Sequence, residues 1–140
     1  MSHVSDIVTN GTVFSVEFSP RAMKDLINVS IPRMNLVPIL ADAANPKSYQ
    51  NMVSIVDVIY QDIAQRDQAG IAISNAGLYL KKDGILVLMI KSRSIDSTRN
   101  PKEVSDIEVN KLKKIFKVKE FVNLEPFYCD HFAVVAQKIC

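Results

Sequence analysis

Four polar residues stand directly behind apolar runs in this chain: Glu17 after Phe14-Ser15-Val16, Asp42 after Val37–Ala41, Asp62 after Val56–Gln61 and Lys91 after Ile85–Ile90. A carboxylate can accept hydrogen bonds from two vicinal hydroxyls, and a second can accept from an exocyclic amine. Three acids and an amine at strand mouths therefore suit a ligand built from a ribose and an amino-bearing base. Each residue also has an ordinary explanation. An acid behind a strand is often a turn former, and a lysine behind a buried strand is often its first solvated residue. The four gain meaning together, if one fold carries them all to the edge where open α/β sheets bind ligands.

The elements that must do this alternate in type. Thr12 to Phe18 is β-branched and aromatic, and Ser19-Pro20 reads as an N-cap followed by proline at the first helical position. A helix through Met23, Leu26 and Ile27 follows. Leu36 to Leu40 and Val53 to Tyr60 are further strands. Asp67 to Leu80 has helical spacing, and Lys82-Asp83-Gly84 signals a turn. Ile85 to Ile90 is the most apolar stretch and reads as a strand buried on both faces. A helix marked by Val104, Ile107, Leu112 and Ile115 precedes two last strands, Val118 to Leu124 and Phe132 to Ala136. Their connection is too short for a helical crossover, so they should form an antiparallel pair at one edge. The expected class is α/β, with a mostly parallel sheet in three layers.

Composition bounds the function without naming it. The 140 residues suit a single domain, 23% of them are charged, and the net charge is +2, which neither demands nor excludes nucleic acid. The two cysteines, Cys129 and Cys140, lack any metal-ligand spacing, so no metal is expected. No apolar run reaches the length of a membrane span and no signal peptide opens the chain, so an intracellular, soluble chain without membrane partners is expected. The four glycines are scattered at Gly11, Gly70, Gly77 and Gly84. With no GxGxxG or Walker-type loop, a dinucleotide dehydrogenase and a P-loop kinase lose ground. A methyltransferase stays open, and so does a chain without its first strand.

A series of short motifs, in order and spread along the whole chain, narrows this. Ser2–Ile7 (SHVSDI), Val16–Arg21 (VEFSPR), Val37–Ala43 (VPILADA), Val56–Gln65 (VDVIYQDIAQ), Ile90–Asp96 (IKSRSID) and Leu124–His131 (LEPFYCDH) resemble the motifs of the fibrillarin family. The resemblance implies a Rossmann-like, S-adenosylmethionine-dependent fold and 2′-O-methylation of ribose in pre-rRNA, with tRNA as a further substrate. It implies that Glu17 binds the ribose hydroxyls of S-adenosylmethionine, with Phe18 beside the adenosine and Asp42 and Ala43 at the adenine edge. Asp62, Ile63, Ala64 and Gln65 would form the wall near the methionine part. Asp62, Lys91 and His131 match three members of the family's Lys-Asp-Lys-His set. Lys91 would take the hydroxyl's proton or orient the hydroxyl, and Asp62 would position Lys91 or stabilise the cationic donor. Lys91 and Arg93, with the loop through Arg99 and Lys102, form a basic rim that suits RNA phosphates. The implied partners are a C/D-type guide RNA with its target rRNA, a Nop-type scaffold protein and, through the complex, a kink-turn-binding protein. The implied location is the nucleolus in a eukaryote or the cytoplasm in an archaeon.

The pattern also departs from the family. There, a strand and a G-x-x-x-G-T-T loop precede SHVSDI; here Met1 stands before Ser2. Residues 1–140 are thus expected to be a partial methyltransferase domain, lacking the N-terminal subdomain, first strand and glycine loop. Such a chain should bind cofactor weakly on its own, because a missing central strand leaves its neighbours' backbone unpaired. Gln61, Arg66 (where proline is usual) and Cys129 are smaller departures. Two alternatives remain: a non-catalytic scaffold that keeps the fold, and a protein (histone) glutamine methyltransferase using the same site. Retention of Glu17, Asp42, Asp62 and Lys91 favours the RNA enzyme over the scaffold.

Overall fold

The computed structural model describes residues 1–140, which form two compact units, Met1–Val53 and Ser54–Cys140. The first contains α1 (Ser2–Ile7), β1 (Val13–Glu17), α2 (Pro20–Ser30), β2 (Leu36–Leu40) and a 3-10 turn at Pro46–Tyr49. β1 and β2 pair in parallel, Val13 opposite Leu36 and Glu17 opposite Leu40. The N-cap reading holds: the Ser19 hydroxyl accepts from Ala22 N at 3.3 Å, with Pro20 opening the helix. Met23, Leu36, Ile39 and Tyr49 are the buried apolar anchors of this unit. Helix α1 was not foreseen. It is six residues long and has no side-chain cap, too short to be stable by itself. Tertiary bonds hold it instead. The Asn35 amide donates to Ser5 O and Val8 O at 2.8 and 2.6 Å, and Arg33 pairs with Asp6 at 3.1 Å.

The second unit contains β3 (Val56–Asp62), α3 (Gln68–Tyr79), β4 (Leu80–Lys91), the short α4 (Ser92–Ile95), α5 (Pro101–Leu112), β5 (Phe116–Asn123) and β6 (His131–Lys138). Its sheet order is β3-β4-β6-β5. β3 and β4 are parallel, while β6 runs antiparallel to both β4 and β5. The expected antiparallel C-terminal pair is therefore present, with the last strand inserted next to β4 and β5 left at the edge. The class is α/β, as expected.

In this unit α3 and α5 share one core with a single sheet face. Leu86, Leu88 and Ile90 are fully buried against Ala72, Ala76, Leu112, Val134 and Ala136. The alanines let α3 lie close to the sheet. The intervening Ile85, Val87 and Met89 are only half-buried. The reading of β4 as buried on both faces is thus corrected within this unit: its apolar run lacks polar alternation, yet only one row is packed under helices here. The turn at Lys82–Gly84 is absorbed as a bulge, where the register jumps from Val56–Leu80 to Val58–Ile85. Asp83 takes a left-handed φ of 65°. A Cβ at Gly84 would lie 2.6 Å from Leu80 Cδ1 and 2.9 Å from Lys81 O, so the bulge needs glycine there.

Candidate active site

In Met1–Val53 the parallel register brings the carboxyl ends of β1 and β2 side by side. Ala41 N donates to Glu17 O at 3.1 Å, so Asp42 lies just beyond the end of β2, whose last residue is opposite Glu17 on β1. Both carboxylates are half-buried and fixed by backbone donors. Glu17 Oε1 accepts from Ser19 N at 3.0 Å, and Asp42 Oδ1 accepts from Ala44 N at 2.9 Å. Ala43 is half-buried and the Phe18 ring is 65% exposed. The unit thus presents two oriented acids and an accessible aromatic ring at one strand end. Such a set can accept from a diol and an amine and cover an aromatic base.

In Ser54–Cys140 a second group assembles. Asp62 closes β3 and Lys91 closes its parallel neighbour β4, with Lys91 Nζ 3.1 Å from Asp62 Oδ1. His131 opens β6 directly opposite Lys91, and opposite residues of an antiparallel pair project from the same face. The three predicted catalytic residues therefore lie together. The His131 ring nitrogen Nδ1 is 2.6 Å from Cys129 O. A carbonyl can only accept, so Nδ1 carries the hydrogen and a neutral ring keeps its lone pair on Nε2. Tyr60, one same-face step before Asp62 on β3, has its hydroxyl pKa raised by burial and by the neighbouring Asp62 and Tyr128. Ile63 and Gln65 are half-buried and Ala64 exposed in the segment after β3.

Two residues that hold this group were not singled out from sequence as supports. Gln68, the first residue of α3, is completely buried. Its Oε1 accepts from Lys91 N at 3.0 Å and its Nε2 donates to Lys91 O at 3.4 Å. Gln61 then donates to Gln68 O at 2.7 Å. The start of α3 is thus bound to the end of β4 and to β3. Gln68→Leu keeps the bulk but leaves these peptide groups without their side-chain partners. It should destabilise the chain by about 1–3 kcal/mol, read as a lower urea midpoint; an unchanged midpoint would remove Gln68 from this role.

The basic rim differs from expectation. All four of its cations are paired with acids: Lys91 with Asp62, Arg93 with Asp130, Arg99 with Asp96 and Lys102 with Asp106. Lys102 also lies over the Phe121 ring, 4.5 Å from its centroid. Arg93 is fixed further, donating from Nη1 to Ser97 O at 2.7 Å, and it holds the Asp130 carboxyl below its ordinary pKa. Glu125, Cys129 and Asp130 approach within 4.8 Å of one another. Asp130 is committed to Arg93, however, and its charge pushes the Cys129 thiol up, away from the thiolate.

The model of the fibrillarin family matches residues 1–139. The chain belongs to the fibrillarin family. The Methanosarcina mazei fibrillarin-like rRNA/tRNA 2′-O-methyltransferase is 51% identical over 98% of this chain, which spans 62% of that relative. Among solved fibrillarin structures, one described as a fibrillarin/Nop5p complex aligns with a TM-score of 0.96 and 39% identity, over 99% of this chain and 66% of that one. Aeropyrum pernix fibrillarin, solved with natively bound S-adenosyl-L-methionine, aligns with a TM-score of 0.85 and 42% identity, over 96% and 59%. This member thus spans less than two thirds of the length of the curated relative, and its fold is that of the family.

Proposed function

We propose that residues 1–140 are part of an S-adenosylmethionine-dependent methyltransferase domain that acts on ribose 2′-hydroxyls of rRNA, with tRNA as a further substrate. The observation that carries this reading is the Asp62–Lys91 pair with His131 in register beside it. A protein that only scaffolds has no use for such a group.

The oriented carboxylates fit the cofactor's functional groups. Glu17 takes the ribose hydroxyls, Phe18 covers the adenosine, and Asp42 with Ala43 reads the adenine edge. Asp62, Ile63, Ala64 and Gln65 line the methionine side. When bound, S-adenosylmethionine supplies a methyl group made electrophilic by its sulfonium.

The chain's own residues act on the nucleophile. Lys91, held at Nζ by Asp62, donates a hydrogen bond that fixes the 2′-oxygen. Alignment of this kind supplies much of the acceleration in a transfer reaction. The Nε2 lone pair of His131 accepts the departing proton. Lys91 and Arg93 face the RNA, with Arg93 using Nη2, the nitrogen that neither Asp130 nor Ser97 occupies.

The partners follow from the family: a Nop-type scaffold, a C/D-type guide RNA that selects the nucleotide, and a kink-turn-binding protein. The test is incorporation of labelled methyl groups into a target RNA by the chain with guide RNA and scaffold. A single 2′-deoxy substitution at the selected nucleotide should abolish incorporation; undiminished labelling of the deoxy target would overturn the reaction class.

A further inference from the structure

The connection between β5 and β6 carries two exposed aromatic rings. Phe127 is 85% and Tyr128 62% exposed. The backbone beneath them is not loose. Phe127 N and Tyr128 N both donate to Leu124 O at 3.0 Å, and Leu124 N donates to His131 O at 3.0 Å. Asp130 ties the same connection to α4, through Ser92 N at 3.2 Å and through Arg93 at 2.9 Å. The result is a braced turn that presents aromatic surface. The Tyr128 ring centroid lies 6.0 Å from that of His131, which is itself opposite Lys91.

Beyond Arg93 a polar hollow of about 340 Å³ opens, lined by Arg66, Arg93, Ser94, Ser97 and Thr98 together with Ile95 and Asp96. Asp96 is committed to Thr98 and Arg99, so its charge is largely answered. Arg66 is exposed and, unlike the rim cations, makes no ion pair. Arg93 has Nη2 to spare. An exposed planar ring two residues before the Asp130 that holds Arg93, and unspent guanidinium donors on Arg66 and Arg93 at the hollow, match the two halves of a nucleotide.

We infer that Tyr128, flanked by Phe127, is a base-stacking platform for an unpaired nucleotide of the RNA, whose neighbouring phosphate is held in the hollow by Arg66 and Arg93. The inference rests on the RNA reading above and adds residues that position the nucleotide beside Lys91. Aromatic faces hold single-stranded bases by stacking, and arginines hold the backbone between them. The platform accounts for aromatic surface left in water beside the His131 ring, which a solvent-exposed turn does not otherwise require.

The test uses a single-stranded RNA oligonucleotide with one 2-aminopurine, added to the full chain without methyl donor. Binding should quench the probe as it stacks. Tyr128→Ala should weaken binding about 5- to 100-fold and remove the quench, while Tyr128→Phe should keep both and show that the fold is intact. Arg66→Ala should leave the quench at saturation and lower the salt dependence of binding by about 0.7 in log–log slope. Tyr128→Ala with undiminished quench overturns the inference. So does a Tyr128→Ala chain that binds RNA normally but loses a Nop-type partner, which would make the turn a protein-docking surface. Because no methyl transfer is measured, stacking without transfer would fail the proposed reaction and leave the platform standing, and transfer without stacking would do the reverse.

Discussion

Replacing Lys91 by alanine should lower methyl transfer about 10²-fold, the loss expected when the attacking oxygen is no longer held in line. The expectation comes from where Lys91 stands. Its backbone is held by Gln68, its ammonium by Asp62 at 3.1 Å, and its strand partner is His131. Alanine removes the ammonium and its stem but leaves the backbone bonds to Gln68, which need no side chain at this position. Cofactor binding, assigned to Glu17, Asp42 and the Asp62–Gln65 segment, should change little. Lys91→Arg should not restore the rate, since a planar guanidinium cannot place a point donor where an ammonium does. The measurement is single-turnover methyl transfer with guide RNA and scaffold, alongside calorimetric titration with S-adenosylmethionine. A Lys91→Ala rate within tenfold of the parent would take Lys91 out of the reaction. An equal loss of cofactor affinity would make its role one of binding.

The second large effect is on stability. Glu108 is 1% exposed and carries two duties from the middle of α5. Its Oε2 accepts from Ala69 N, in the first turn of α3, at 2.8 Å, and its Oε1 accepts from Lys111 at 2.7 Å. A helix's first N–H groups have no partner within the helix, so here a remote carboxylate does what a capping side chain usually does. Asp67 caps the same turn through Gly70 N at 3.1 Å, and a Cβ at Gly70 would run into that carboxylate. Glu108→Ala should cost about 2–3 kcal/mol, because it strands a buried amide and breaks a charge-assisted bond. Glu108→Gln can still accept from Ala69 and should cost less. The readouts are the urea midpoint and hydrogen exchange at the Ala69 amide, and an unchanged midpoint with full protection would refute the account.

The same contact sets a pH dependence. The hydrogen bond to Glu108 raises the Lys111 pKa above its ordinary 10.5, with the charges of Glu108 and Asp67 adding to it. A raised value in the folded chain means the contribution is complete below pH 10.5 and is lost as pH climbs through the raised value. The alkaline loss of stability that belongs to this contact should therefore be absent in Glu108→Ala, so the stability gap between parent and variant, read from urea midpoints, should narrow as pH rises past 10.5.

These examples mark where sequence reading succeeds. Strand positions, the Ser19 cap and the acids at strand ends are local patterns, legible because period and turn chemistry act over a few residues. The motifs around Asp62, Lys91 and His131 were legible as resemblance, and the strand register then brought them together. Gln68 and Glu108 were not legible as supports, because their partners lie 23 and 39 residues away and nothing nearby distinguishes them from solvated polar residues. The ion pairing of the basic rim was hidden for a related reason. A count of cations cannot tell which are already paired, and Arg93 spends two donors inside the chain. Tyr128 was passed over because exposure, not residue type, gives it meaning.

The two sheet orders leave β1, β2, β3 and β5 each bonded along one side only. For β3 this has a cost in solution. The strand reads Val56-Asp57-Val58-Ile59-Tyr60, has Val58 52% and Tyr60 39% exposed, and is preceded by an exposed Ile55. A bare strand rim of this composition is a template for another chain's backbone. Two acids stand on it, Asp57 and Asp62, and lysines answer both, Lys81 at 2.6 Å and Lys91 at 3.1 Å. Protein concentration is therefore a variable in its own right. Dilute samples should report on single molecules, whereas concentrated ones should build ribbons that bury the rim, and a charge placed at Val58 should keep the chain dispersed.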